Sequence, residues 1–440
     1  MPAALIATLG YSIASLGTWL AIALWGVSML MATLANRAYT ELAGMFPEKP
    51  GVALYAWEGW RSRFALVGPV AAFGYWFAWS SSMAVYAGIV GNLVQAQWFA
   101  GQDWVWDLGV VDVTFTRLVA ALVLVGVWAA NTLGLRPTLW LAYATAAMLL
   151  VPLAVFMFVP YVTGDWSSAT FTDPAWDWRL TVVWLYIMCW TSLGVEVCAT
   201  FTPEYRNGSR DAARALRAAA LFSLAVFVLL PLGAAGTAGE PAIEADPLTF
   251  YAPAFEQLVG GAADLMVALI VGSLVLVILT AMADSSRALY GMSANRTTVR
   301  GLDRLNRFGV PGRAITVDLL VNLGLLFFVG SVLAIVAAGN LGYVAAHVFA
   351  LVALLLLRRD RPRWPRPVRL GRPLVAAVGA LAVFLAFLCI VGAASFELTG
   401  YGGRRELAIA LTILLGSVLL YAFRRVVQDG ERLRLRDDSD

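Results

Sequence analysis

At 440 residues, with 60% hydrophobic and only 13% charged side chains, the chain carries more apolar surface than a soluble core absorbs. Its mean hydropathy of +0.76 and net charge of +3 point to a lipid environment rather than to a polyanionic partner. Neither a soluble enzyme nor a nucleic-acid-binding protein fits that balance.

A bilayer core of about 30 Å needs about 20 apolar residues per helix. Uncharged runs of that kind predict spans near residues 20–42, 65–99, 118–135, 139–162, 182–202 and 215–235. Five more follow near 262–292, 315–338, 341–357, 374–394 and 407–423. The apolar piece at 1–16 precedes them, which brings the total to about 12. At 1.5 Å per residue it reaches only about 24 Å, and no basic flank precedes it. It is therefore expected to be a first span that lacks its cytoplasmic half, with Met1 inside the membrane and the missing half encoded upstream.

Basic residues fall on alternate loops. Arg37, Lys49, Arg61 and Arg63 begin the series, Arg136, Arg206, Arg210, Arg214 and Arg217 continue it, and a dense run from Arg358 to Arg372 and a tail from Arg424 to Arg436 end it. Arg117, Arg179, Arg404 and Arg405 lie on the other side, where Asp103, Asp107, Asp112, Asp165, Asp173, Asp177, Glu240, Glu244 and Asp246 gather. The positive-inside rule makes the basic side cytoplasmic, with the C-terminus on it, in a multi-pass protein of the cell membrane. Anionic lipid headgroups account for the arginine clusters without nucleic acid. Trp19, Trp60, Trp98, Trp104, Trp140, Trp176 and Trp178 near span ends read as interfacial anchors. Cys189, Cys198 and Cys389 fall inside spans and read as buried thiols.

One histidine, no phosphate-binding glycine loop and no metal-ligand spacing leave no basis for an enzyme, a cofactor or a metal. Two carboxylates lie within spans, where charge is costly and marks function by default. Asp318 follows Arg313 by five residues, and its structural reading, at the cytoplasmic end within reach of headgroup water or that arginine, is the favoured one. Glu196 sits mid-span after Trp190-Thr191-Ser192-Leu193-Gly194-Val195, a crowding of small and hydroxylated residues that favours a local helix break facing a cavity. An ordinary close-packed interface with a paired glutamate is the alternative. Glu196→Gln is expected to impair uptake or its pH dependence, and Asp318→Asn is not. His347 reads as a satisfied interior residue or as a partner in proton exchange with a buried carboxylate. Of Ser80, Ser81 and Ser82, one can face a central cavity, and packing explains all three equally well.

Four stretches carry a family resemblance: Tyr39-Thr40-Glu41-Leu42-Ala43 with Phe46-Pro47, Pro50-Gly51 and Tyr55; Trp190 to Glu196 with Pro203-Glu204 and Asn207; Ser285 to Met292 with Leu305-Asn306-Arg307 and Gly309-Val310-Pro311; and Leu341-Gly342-Tyr343 with Ala353 to Arg359 and Pro365-Arg366-Pro367. In this order, between matching spans, they make the chain resemble the amino acid-polyamine-organocation superfamily, nearest the basic amino acid and polyamine antiporter branch. The resemblance implies an all-α polytopic fold of the leucine-transporter kind. Residues 1–178 and 179–360 would form two inverted five-helix repeats, 361–425 two additional spans, and 426–440 a cytoplasmic tail.

It further implies a permease or antiporter that moves an amino acid or related amine by alternating access. Trp190, Thr191, Ser192, Leu193 and Gly194 would hold substrate, and Glu196, Tyr75 and His347 would form a proton-sensitive gate. The implied partners are that small molecule, protons, the lipid bilayer and a second copy of the chain in a homodimer. Met1-Pro2 resembles the pair that follows the family's glycine-rich first-span break, and the break itself is absent. A non-transporting, degenerate permease-like protein acting as a sensor or assembly subunit is the competing reading.

Overall fold

A computed structural model describes residues 2–47, 51–135, 139–172, 176–199 and 206–437. The readings made on Met1, Lys49, Pro50, Arg136, Asp173 and Pro203-Glu204 lie outside these residues. Ten helices of the described chain are long and apolar enough to cross a membrane. They are α2 (Thr18–Met45), α4 (Val67–Trp98), α5 (Phe115–Thr132), α6 (Leu139–Thr163), α7 (Trp178–Ser192 with its 3-10 continuation), α8 (Ser209–Ala238), α11 (Ala263–Ala294), α13 (Val332–Asp360), α14 (Arg372–Ala394) and α15 (Arg404–Phe423). The shorter apolar helices α1 (Pro2–Leu16) and α12 (Gly312–Phe328) complete an all-α, multi-pass bundle of twelve segments.

Helices α4 and α7 are mostly buried and form the centre, while α5 and α15 are mostly exposed and form the periphery. In lipid the tails are as apolar as leucine, so close backbone approach between small residues replaces hydrophobic collapse as the glue. The crossing of α4 and α13 shows this. A Cβ on Gly74 would sit 2.5 Å from the Gly342 carbonyl oxygen, and one on Gly342 2.6 Å from the Gly74 Cα. Gly74→Ala is expected to push these two helices apart at a cost of about 1–3 kcal/mol, read as a lower unfolding temperature in detergent.

One predicted boundary is corrected. The ninth and tenth spans were expected to divide near 338–341; the chain instead breaks at Val329-Gly330-Ser331, where the Ser331 hydroxyl caps α13 by accepting from the Ala334 amide at 3.1 Å. Gly339 and Gly342 are contact residues on α4, not breakers. Arg358 and Arg359 belong to the last turn of α13.

Short elements cover the two ends. At the arginine-rich end α3 (Val52–Trp60) lies under α13, where a Cβ on Gly59 would meet Ala353 at 2.3 Å. The tail folds back, with the Ala65 amide donating to the Leu435 carbonyl and the Asp437 amide to the Arg61 carbonyl, each at 2.8 Å. The acidic end carries the hairpin β1 (Val105–Asp107) and β2 (Asp112–Thr114) and the helices α9 (Glu240–Ala245) and α10 (Tyr251–Val259). There α1 turns into α2 through Gly17, whose φ of 72° suits glycine. The buried Glu240 carboxylate staples that turn by accepting from the Thr18 amide at 2.7 Å and the Thr172 amide at 2.9 Å.

Trp19, Trp98, Trp140, Trp176 and Trp178 are exposed at helix ends, as anchors are. Trp60 differs: its indole N–H donates to the Phe349 carbonyl at 3.0 Å and ties α3 to α13.

Candidate functional site

The helical pattern of α7 changes at Leu193, and residues Leu193–Ala199 form a 3-10 turn that carries Glu196. Glycine at 194 and β-branched valine at 195 weaken the α-helix there, and a mid-helix 3-10 stretch is a common functional hinge. Glu196 is buried, and its Oε1 accepts the Tyr75 hydroxyl from α4 at 2.9 Å and the Tyr343 hydroxyl from α13 at 3.1 Å. Its Oε2 has no hydrogen-bond partner among the described residues.

The structure brings Tyr75 and His347 to Glu196, as the sequence reading placed them, and adds a further residue. The tyrosine of α13 that bonds Glu196 is Tyr343. His347 lies one turn further along the same face, its Nε2 at 3.8 Å from Glu196 Oε1, beyond hydrogen-bond range. Its Nδ1 shares a hydrogen bond of 2.6 Å with the Tyr39 hydroxyl of α2. Glu196, His347 and Tyr39 therefore make a short polar line through the bundle, flanked by the rings of Tyr75 and Tyr343.

Above the turn, Trp190 lines a small cavity of about 20 Å³ with Ala4, Ala78, Trp79, Ser82, Tyr86 and Tyr343, room for about one water. Thr191 Oγ1 meets Thr8 Oγ1 of α1 at 3.3 Å. Ser192 Oγ is buried with no hydrogen-bond partner among the described residues, and Leu193 and Gly194 are buried in the turn. All five residues expected to hold substrate sit along this segment, but only Trp190 borders the cavity.

Toward the arginine-rich end the line closes. Tyr39 stacks on Tyr55, Phe46 packs between Tyr55 and Trp364, and the Arg361 guanidinium lies 4.3 Å over the Trp364 ring. Beside this stack the fully buried Glu41 accepts from Arg358 through both carboxylate oxygens, from the Leu370 amide at 2.8 Å, and pairs with Arg366 at 3.3 Å. Near the acidic end a larger cavity of about 260 Å³ lies among α1, α4, α5, α12 and α13, lined by Tyr11, Asn92, Arg117 and Ser331 among others.

Asp318 is not where the sequence reading put it. It is fully buried between α4, α11 and α12, bonded to Ser80, Ser285 and Trp76 and not to Arg313. Burial follows from its position on the inner face of α12 with Asn322 one turn on, an i, i+4 polar pair that was available as a signal. Of the three consecutive serines, Ser80 alone bonds another helix, while Ser81 and Ser82 donate to carbonyls of α4 itself.

The profile of the amino acid permease family matches residues 2–418, nearly the whole chain. Among characterised proteins, the glutamate/serine transporter AimA of Bacillus subtilis is 23% identical over 392 residues, covering 82% of this chain and 69% of that protein.

Proposed function

We propose that this chain, which belongs to the amino acid permease family, is a secondary transporter that moves an amino acid or related amine by alternating access around Glu196. The observation that carries this is the convergence of four spans on one buried carboxylate: Tyr75 from α4, Tyr343 and His347 from α13, and Tyr39 of α2 behind them, at the 3-10 break of α7. A broken helix exposes backbone dipoles to a ligand where intact helices consume them.

The two repeats, 1–178 and 179–360, fit this reading, since α1, α4, α7 and α13 all border the Trp190 cavity or Glu196. The basic end is cytoplasmic in this reading, by the arginine asymmetry. The stack of Tyr39, Tyr55, Phe46 and Trp364 with the Glu41 clasp is then a closed inner gate, and the 260 Å³ cavity is the outer approach. For scale, an engineered cavity of about 150 Å³ admits benzene. Tyr39 belongs both to this stack and to the hydrogen bond with His347, so a movement of the stack would disturb the polar line that leads to Glu196.

The relative's printed substrates make glutamate and serine the first compounds to try. Purified protein in liposomes preloaded with unlabelled amino acid should accumulate the same labelled amino acid by counterflow, with stronger accumulation when an inward proton gradient is imposed. Failure across an amino acid and polyamine panel would remove the transporter reading.

A further inference from the structure

A second buried carboxylate lies outside the Glu196 site. Asp318 Oδ1 accepts three hydrogen bonds, from Ser80 Oγ at 2.7 Å, Ser285 Oγ at 2.8 Å and Trp76 Nε1 at 3.2 Å. Trp76 Nε1 can only donate, and Asn322 orients the Ser80 hydroxyl. The Ala84 amide can only donate, so the oxygen it meets at 2.8 Å is Asn322 Oδ1, and the amide nitrogen faces Ser80 Oγ at 3.2 Å. The Ser80 hydroxyl, receiving from Asn322, keeps its own proton to donate to Asp318 Oδ1. Three donors thus converge on one oxygen, while Oδ2 has no partner among the described residues.

Among the described residues no neighbouring charge answers Asp318. Helix α4 bears no charged residue, and its Tyr75 is turned to Glu196. On α5 the sole charge is Arg117, in the first turn near the acidic end. Helix α11 has Asp264 at the acidic end, held by Gln97 and Trp98, the exposed pair Asp284 and Arg287, and Tyr290. Helix α12 has only Arg313, near its start. A bare carboxylate in such surroundings is costly, and the economical remedy is a proton. Hard metal cations such as calcium take about six or more oxygens. Here both serine hydroxyls are committed to Oδ1 and the Asn322 oxygen to Ala84.

We propose that Asp318 is a second intramembrane proton-binding site, separate from Glu196 and linked to it through α4. A proton from water adds to Oδ2, forming an O–H bond and a neutral acid. On release that bond breaks, the electron pair stays on the carboxylate, and the proton returns to water at the arginine-rich end, about 9 Å away by helix rise. The linkage is mechanical. Trp76 and Ser80 bind Asp318 from one face of α4 while the adjacent Tyr75 binds Glu196 from another. An ionised Asp318 grips its three donors more tightly than a neutral one, and the same helix then sets the Tyr75 hydroxyl against Glu196.

The effect on transport rests on the transporter reading; proton binding itself does not. The test therefore has two arms on the full chain in liposomes. Infrared difference spectra across a pH series should show a carboxylic C=O band that E196Q keeps and D318N loses. Ser285→Ala, which removes one donor and leaves the carboxylate, should move that band's titration to higher pH by about one unit. In uptake, the change in rate between about pH 6 and about pH 8 should shrink at least about threefold in D318N, with its unfolding temperature close to wild type. An unchanged infrared titration in D318N, or a sodium-dependent band that D318N abolishes, would overturn the proton assignment. Lost uptake in the parent protein with the band intact would overturn only the transporter reading.

Discussion

Glu196→Gln is expected to lower proton-driven uptake at least about tenfold and to flatten what remains of its pH dependence. The carboxylate is buried and accepts two phenol hydrogen bonds at one oxygen. A hydrogen bond to a charged group contributes about 1.5–3 kcal/mol, and about 1.4 kcal/mol is a factor of ten in rate. The amide keeps an acceptor for Tyr75 and Tyr343 but brings an N–H₂ group into a place that offers few acceptors, and it removes the titrating group. Tyr343→Phe and Tyr75→Phe each delete one of the two bonds and should cost less than E196Q, about threefold to tenfold apiece. Counterflow separates the roles: exchange that survives in E196Q while gradient-driven accumulation is lost marks proton coupling. Wild-type accumulation with a wild-type pH profile in E196Q would leave Glu196 a structural residue.

Glu41→Ala should have the largest effect on stability. Glu41 is wholly buried and receives Arg358, Arg366 and the Leu370 amide, joining α2 to α13 and to the connection before α14. Removing the acid leaves two guanidinium groups facing each other in a poorly hydrated pocket, for which about 3–5 kcal/mol is the usual cost of breaking a buried pair. Arg214→Ala, which breaks the exposed pair with Asp211, is the control and should fall below about 1 kcal/mol. Thermal unfolding in detergent reads both. A drop in E41A no greater than in R214A would mean that the clasp is not holding the arginine-rich end together. Should the clasp also gate the inner side, Arg358→Ala will raise the reactivity of a cysteine placed at Tyr55 toward a membrane-impermeant thiol reagent applied from the arginine-rich side.

The membrane class, the span positions apart from the division between α12 and α13, and the break before Glu196 were legible in the chain because each rests on a local property. Uncharged length, the arginine asymmetry and the cluster Thr191-Ser192-Leu193-Gly194 need no tertiary partner to be recognised. The site was only partly legible. Tyr75 and His347 were expected beside Glu196 and do lie around it, but Tyr343, one turn from His347, makes the bond, and Tyr39 enters from α2 by a contact 308 residues apart in sequence. Asp318 was misread for the same reason. Its distance from Arg313 along the chain suggested an interfacial charge, and only the packing of α4 and α11 over α12 shows that it faces inward.

What the amino-acid sequence determined by itself is therefore the solvent, the multi-pass helical class and the family, since apolar run length and charge placement are read against the bilayer one segment at a time. The tertiary structure alone decided which polar groups meet: Tyr75 and Tyr343 on Glu196, Tyr39 on His347, and Ser80, Ser285 and Trp76 on Asp318. The physical reason is that a polar side chain inside a membrane must find its partner on another helix. Helix rotation and the close glycine approach of Gly74 to Gly342 set which one it finds.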